Sequence, residues 1–209
     1  MSKKSISKDV AYYMRRLYKK GLTTCSGGNV SCKINNKIIA ITPSQKDKGR
    51  LKWKDIGFVN IDGKNLNAKI KLSMETEMHL AVYRARPDVK AITHAHPPFA
   101  SSFCISEIPV LSNLTGEARA IIGQPIIAPY QLMGTKNLAA SVANAALQTD
   151  VILLENHGIL TVGKNLYEAF DKMEVFEMSS KIQFITHLMG KYKQLDEQEI
   201  KAIDQLMGR

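Results

Sequence analysis

Val89-Lys90-Ala91-Ile92-Thr93-His94-Ala95-His96-Pro97-Pro98 is the stretch around which the rest of the chain organises. Its apolar, partly β-branched start reads as a strand from Val89 to His94, and the two prolines end it because proline has no N–H for a ladder. Alternate residues of a strand project to one face, so His94 and His96 aim two imidazoles at a common point. Neutral imidazole is a metal ligand, and two of them make half a zinc site. The same spacing also fits two hydrogen-bonded histidines at a strand end, and the motif alone does not separate the two readings.

Upstream of this stretch, Ser7 is a candidate cap for a helix whose stripe is Val10, Met14, Leu17 and Tyr18, stopped by Gly21. The turn Gly27-Gly28-Asn29 precedes a strand at Val30 to Lys33, and Asn35-Asn36 suggests a hairpin into Ile38 to Thr42. Phe58 to Ile61 reads as a further strand, closed by Asp62-Gly63. Ser73 is expected to open a helix with Met74, Met78, Ala81, Val82 and Ala85 on one side, with Glu75 and Glu77 in its first turn.

Downstream, strands are expected at Pro125 to Ala128, Val151 to Leu154 and Ile159 to Val162, and a helix from about Thr135 to Leu147. Asn165 with Glu168, and Asp196 with Glu199, are capping boxes for a long helix to about Met189 and a last short one. The whole is mixed α/β, and its short hairpins favour antiparallel pairing.

The chain's 209 residues fit one domain spanning 1–209. It is 44% hydrophobic and 23% charged, without low-complexity segments, which is a globular composition. Met1 to Lys20 holds no apolar run of about 7 to 15 residues of the signal-peptide kind, and no stretch reaches transmembrane length, so no membrane partner is expected. Cys25, Cys32 and Cys104 form an odd set without C-x-x-C spacing, which suits reduced thiols in the cytoplasm.

The formal charge of +10 raises nucleic acid as a partner. The densest basic run, Lys46 to Lys54, is broken by Asp47 and Gly49, and no nucleic-acid-binding motif accompanies it, so nucleic acid is not expected. A basic surface attracts anionic metabolites equally well.

His157 follows an apolar strand and precedes Gly158, where a strand end delivers polar groups to a cleft, although a core histidine fits that position too. Three histidines with one open position make a catalytic zinc geometry. Glu75 lies four residues before His79 and shares its helical face; a carboxylate beside a metal moves protons, and one in a first helical turn also simply complements the helix dipole. His79 reads as structural. The turns Ser26-Gly27-Gly28-Asn29 and Thr42-Pro43-Ser44 offer N–H groups and hydroxyls for an anion, as well as ordinary turn geometry. The motifs of nucleotide-binding loops, zincin proteases and serine esterases are absent.

Together, Gly27-Gly28-Asn29-Val30-Ser31, Ile41-Thr42-Pro43-Ser44, Ser73-Met74-Glu75 with His79, His94-Ala95-His96-Pro97 and Asn156-His157-Gly158 resemble the class II aldolase/adducin family, and most closely its fuculose-phosphate aldolase branch. The match runs in order from about Gly21 to Met189. The resemblance implies a three-layer α/β/α fold with a mostly antiparallel central sheet, assembled as a homotetramer with active sites between subunits. It implies zinc, one ion per subunit, or another divalent metal, on His94, His96 and His157, with Glu75 as acid/base. It implies a small phosphorylated sugar as substrate, its phosphate at Gly28, Asn29, Ser44, Gln45, Ser73 and Met74. The implied reaction cleaves a ketose 1-phosphate into dihydroxyacetone phosphate and an aldehyde through a metal-stabilised enediolate.

Three departures from that branch bear on substrate. Met74 stands where a second phosphate-binding serine is expected, Gln45 where a turn glycine is expected, and Asn113 where a tyrosine assists protonation of the aldehyde oxygen. Tyr130, after Ala128-Pro129, matches a loop aromatic near the family's site and also reads as a packing residue. Glu117 lies in the segment where a related dehydratase, acting on methylthioribulose 1-phosphate, carries its acid, and also reads as a solvated surface residue. An adducin-like interaction module shares the fold, and loss of the ligand histidines would mark it.

Overall fold

Strands β1 (Asn29–Lys33), β2 (Ile38–Ile41), β3 (Gly57–Asn60), β4 (Ala91–Ala95), β5 (Ile126–Ala128), β6 (Val151–Leu154) and β7 (Gly158–Gly163) hydrogen-bond into one sheet in the order β3-β2-β1-β4-β7-β6-β5. Every neighbouring pair is antiparallel except β5 with β6. The computed structural model describes residues 2–209. Helices are α1 (Lys3–Lys19), α2 (Thr76–Ala85), α3 (Pro98–Phe103), α4 (Gly116–Ile122), α5 (Lys136–Ala146), α6 (Leu166–Met189) and α7 (Glu197–Leu206).

Two apolar clusters show why the helices fall on both faces. Val151 and Leu153 of β6 pack with α1, α4 and α6, while Ile152 and Leu154 pack with α2 and α5. A strand covered on both faces loses the polar half of its alternation, which is why Val151 to Leu154 reads as a continuous apolar run. The architecture is the three-layer α/β/α sandwich expected. Leu153 and Leu154 are 0% and 1% exposed, and truncating either to Ala costs about 2–5 kcal/mol.

Two helix starts differ from the sequence expectation. α1 is capped by Ser2, whose side chain accepts from Ser5 N at 3.2 Å, and Ser7 lies buried within the helix. The buried stripe begins at Ile6 and runs through Val10, Met14 and Leu17, so the helix must start a turn earlier; Tyr18, expected in the stripe, is 44% exposed. α2 begins at Thr76 with Glu75 at its cap position, because the Ser73 hydroxyl accepts from Glu75 N (3.3 Å) and the Glu75 carboxylate is drawn elsewhere. Helices α3 and α4, absent from the sequence reading, are too short to show a period. Proline at the first position of α3 and two N–H bonds to the Glu177 carboxylate from α6 fix its start.

Candidate active site

Register brings the first elements of the site together. Asn29 of β1 pairs opposite His94 of β4, His94 pairs opposite Leu160 of β7, and the β6–β7 turn carries Asn156 and His157 beside the end of β4. Ring centroids of His94 and His96 lie 4.8 Å apart, and those of His94 and His157 4.9 Å apart. One nitrogen from each of the three imidazoles falls within 4.8 Å of the others. Glycine is required beside them: a Cβ on Gly158 would stand 2.5 Å from His96 Cδ2, and one on Gly28 (φ +67°) 2.8 Å from the His94 carbonyl oxygen. Asn156 occupies the left-handed region at φ 53°, which asparagine tolerates better than most residues.

The Glu75 carboxylate points at this cluster. Oε2 lies 3.2 Å from His94 Nε2 and Oε1 3.2 Å from His157 Nε2. Burial, then the nearby His157, pushes the His94 imidazolium down to about 3, so the ring is neutral and the contact is no ion pair. Its Nδ1–H donates to the Ile159 carbonyl (2.9 Å), which leaves Nε2 as a bare lone pair facing a carboxylate oxygen. His94 Nε2 and Glu75 Oε1 are both buried without a hydrogen-bond partner. Two acceptors facing each other in a buried site repel unless a cation lies between them. The donor set therefore fits a divalent metal, with three imidazoles as ligands and a carboxylate on the fourth side.

Behind Glu75 runs a buried chain of donors. The Tyr83 hydroxyl donates to Ser31 Oγ (2.8 Å), Ser31 Oγ donates to His79 Nδ1 (2.6 Å), His79 Nε2 donates to Asn29 Oδ1, and Asn29 Nδ2 donates to Glu75 Oε2 (2.7 Å). Burial, then repulsion from His94, holds the His79 imidazolium at about 3, so the neutral ring has one donor and one acceptor, as the chain requires. Both His79 ring nitrogens are bonded to protein atoms, and the chain leads directly to the carboxylate. The chain gives Oε2 one hydrogen bond and leaves Oε1 without one.

In front of the histidines opens a cleft of about 380 Å³, the size of a small-ligand site. Gly28, Asn29, Ser44, Ser73, Met74, Glu75, His96 and His157 all line it. His94, fully buried, sits just behind. Of the other residues singled out from sequence, Gln45 holds a left-handed backbone (φ 54°) and accepts from the Lys71 ammonium outside the cleft. Asn113 bonds Gln194, Glu117 lies on α4, and the Tyr130 N–H is tied to Glu155; none of these three lines the cleft of this chain. Ser26 and Asn156 line it as members of the turns quoted from sequence, without a role of their own having been assigned, and Lys48 and Met133 line it without having been singled out. Asn156 was within reach as the residue before His157-Gly158, whereas Lys48 looks in sequence like one more member of a solvated basic run.

A family profile described as Class II Aldolase and Adducin N-terminal domain matches residues 8–184, and the chain belongs to that family. Within it, a 5-deoxy-D-ribulose 1-phosphate aldolase from Bacillus thuringiensis serovar kurstaki is 32% identical over 200 residues, covering 93% of this chain and 92% of its own. A 3-oxo-tetronate 4-phosphate decarboxylase from Haemophilus influenzae is 29% identical over 194 residues, covering 91% of each. A solved L-fuculose 1-phosphate aldolase superposes with a TM-score of 0.89 at 30% identity, over 98% of this chain and 97% of its own.

Proposed function

We propose that this enzyme is a zinc-dependent aldehyde-lyase that cleaves a ketose 1-phosphate, fuculose 1-phosphate or a related deoxy-ketose 1-phosphate, into dihydroxyacetone phosphate and an aldehyde. The observation that carries the reading is the unpartnered Glu75 Oε1 beside three converging imidazoles at the head of a cleft. A divalent cation on His94, His96 and His157 supplies Lewis acidity toward the substrate's carbonyl oxygen. Glu75 Oε1 is the proton carrier at the carbon that becomes the end of the triose phosphate: it removes the proton in condensation and returns it in cleavage. Asn29 holds the other oxygen, so one face of the carboxylate is aimed at substrate. Ser44, Ser73 and the Gly28 turn form the polar wall available to the phosphate.

A homotetramer belongs to this reading, and it is supported by the apolar side chains of Phe184, Leu188 and Met189 on α6, each half exposed or more. Asn113, Glu117 and Tyr130 would then meet a cleft from a neighbouring copy. The free thiols Cys25, Cys32 and Cys104 support a cytoplasmic setting, and no helix among the described residues is long and apolar enough to cross a membrane. Presence of all three histidines and Glu75 argues against an interaction module alone.

The relative from Haemophilus influenzae favours a second reading, decarboxylation of a 3-oxo acid phosphate. That reaction also leaves an electron pair next to a carbonyl, by losing carbon dioxide in place of an aldehyde. Glu117 lies outside the cleft of its own chain, so the dehydratase reading requires it to act in the cleft of a neighbouring copy. The test offers zinc-loaded and chelator-stripped protein a panel of ketose 1-phosphates, with 3-oxo-tetronate 4-phosphate and methylthioribulose 1-phosphate alongside. Zinc-dependent release of dihydroxyacetone phosphate, absent in His96→Ala, is expected. Carbon dioxide release or water loss without triose phosphate overturns the aldolase in favour of the decarboxylase or the dehydratase.

A further inference from the structure

We propose that Lys48, a residue outside the five motifs, is the counter-charge for the substrate's phosphate, an inference that rests on the ketose 1-phosphate reading above. Lys48 opens a short 3-10 turn (Lys48–Arg50) and joins the two turns that wall the cleft. Its N–H donates to the Cys25 carbonyl (2.8 Å), next to Ser26-Gly27-Gly28, and its Nζ donates to the Pro43 carbonyl (2.6 Å), next to Ser44. It lines the cleft and is still only 2% exposed.

A buried ammonium needs a partner, and this one has no carboxylate. Its three donors have one neutral acceptor. Neighbouring acids are engaged elsewhere: Asp47 with Gly49 N–H and Arg50, Asp55 with Lys46 and Lys52 N–H, Glu75 with Asn29. Burial alone, with no charge to oppose it, pulls the Lys48 ammonium down to about 8. Desolvated charge without compensation is unfavourable in the free protein and becomes favourable when an anion arrives.

The position also answers the two departures in the phosphate turns. Met74 brings no hydroxyl to the cleft and Gln45 turns away from it, so the hydroxyl and N–H set is thinner than the motifs imply. An ammonium offsets such a loss, because a charge-assisted bond to a phosphate oxygen is about twice as strong as a neutral one. The ligand class is a phosphate monoester dianion, carried by the non-reacting end of the substrate.

The experiment measures inorganic phosphate binding to the zinc-loaded protein by calorimetry, and ketose 1-phosphate turnover, for Lys48→Met, Lys48→Arg and the exposed control Lys71→Met. Lys48→Met is expected to weaken phosphate at least about tenfold and to raise KM comparably, with less change in kcat and unchanged zinc content. Lys48→Arg recovers most of the binding, and Lys71→Met leaves it unaltered. If Lys48→Met does not fold, Lys48→Gln, which keeps a donor for the Pro43 carbonyl without the charge, carries the same readout. Unchanged phosphate affinity in a folded, charge-free variant overturns the role of Lys48 while leaving the aldolase intact. Wild-type protein that neither binds phosphate nor releases triose phosphate overturns both.

Discussion

The cleft at the histidines measures about 380 Å³, and a second, lined by α4, the loop before β6, the start of α6 and the end of α7, about 690 Å³. In the larger one, Arg86 is bonded to Asp88 and Asp150, Lys172 to Asp150, and Arg119 and Arg209 to Asp204. These charges answer one another and tie α7 and the loop before β6 to the body of the fold. In the smaller one, His94 Nε2 and Glu75 Oε1 have no partner, and the Lys48 ammonium has no counter-charge. Size would choose the larger cleft for chemistry. Unanswered polarity chooses the smaller one, because buried groups left unsatisfied in the free protein mark a place that a ligand completes.

The comparison breaks most sharply at Glu75. Glu75→Gln keeps the shape and the Asn29 contact while removing the proposed base, and is expected to lower turnover by about 10²–10⁴-fold with zinc content unchanged, as read by steady-state kinetics and atomic absorption. His79→Ala interrupts the donor chain behind Asn29; kcat is expected to fall about 10–100-fold, with metal retained, because the carboxylate loses its fixed orientation. An unchanged kcat in that variant would reduce the chain to packing.

Gly158→Ala sharpens the comparison at the histidines. The added carbon would meet His96 Cδ2 at 2.5 Å and the Ala95 carbonyl oxygen at 2.7 Å, so a stability loss of about 1–3 kcal/mol and weaker zinc retention are expected by denaturant unfolding and metal titration.

The smallest effect is expected in the larger cleft. Asp204→Asn should leave turnover unchanged and lower Tm at pH 7 by about 2–4 °C, the shift of ~1 kcal/mol in a chain of this size. The hydrogen bond from Arg119 holds the Asp204 carboxyl below its ordinary value. The stabilisation is therefore complete above the unfolded carboxylate pKa of about 3.9 and is lost as pH falls through the lower folded value. The Tm gap between wild type and Asp204→Asn should close only in strong acid.

What was legible in sequence follows the regularity of each element. His94 and His96 could be placed on one face because a strand has a period of two, and His157-Gly158 because an apolar strand ended just before it. Val151 to Leu154 could be placed as a strand from its apolar run, whereas the helices on both of its faces were implied only by the family resemblance. Boundaries were less legible where a side chain has a second task. Ser73 looked like the cap of α2, whereas its hydroxyl receives Glu75 N and the helix starts at Thr76. Ser7 looked like a cap because the buried Ile6 ahead of it was not counted in the stripe. Lys48 was illegible because lysine is almost always solvated, and only three-dimensional closure of two turns shows it buried. Asn113, Glu117 and Tyr130 were matched by sequence position, which carries no information about which copy of a chain they face.

In the proposed mechanism Glu75 Oε1 is a base aimed at a carbon beside a metal-polarised carbonyl, and proton exchange measures that directly. Zinc-loaded protein is incubated with dihydroxyacetone phosphate in deuterated water, without aldehyde, and deuterium at the hydroxymethyl carbon is followed by NMR. Stereospecific exchange of one hydrogen, abolished by chelation and by Glu75→Gln, is the expected result. Absence of exchange in the zinc-loaded protein, or exchange that persists undiminished in Glu75→Gln, would contradict it.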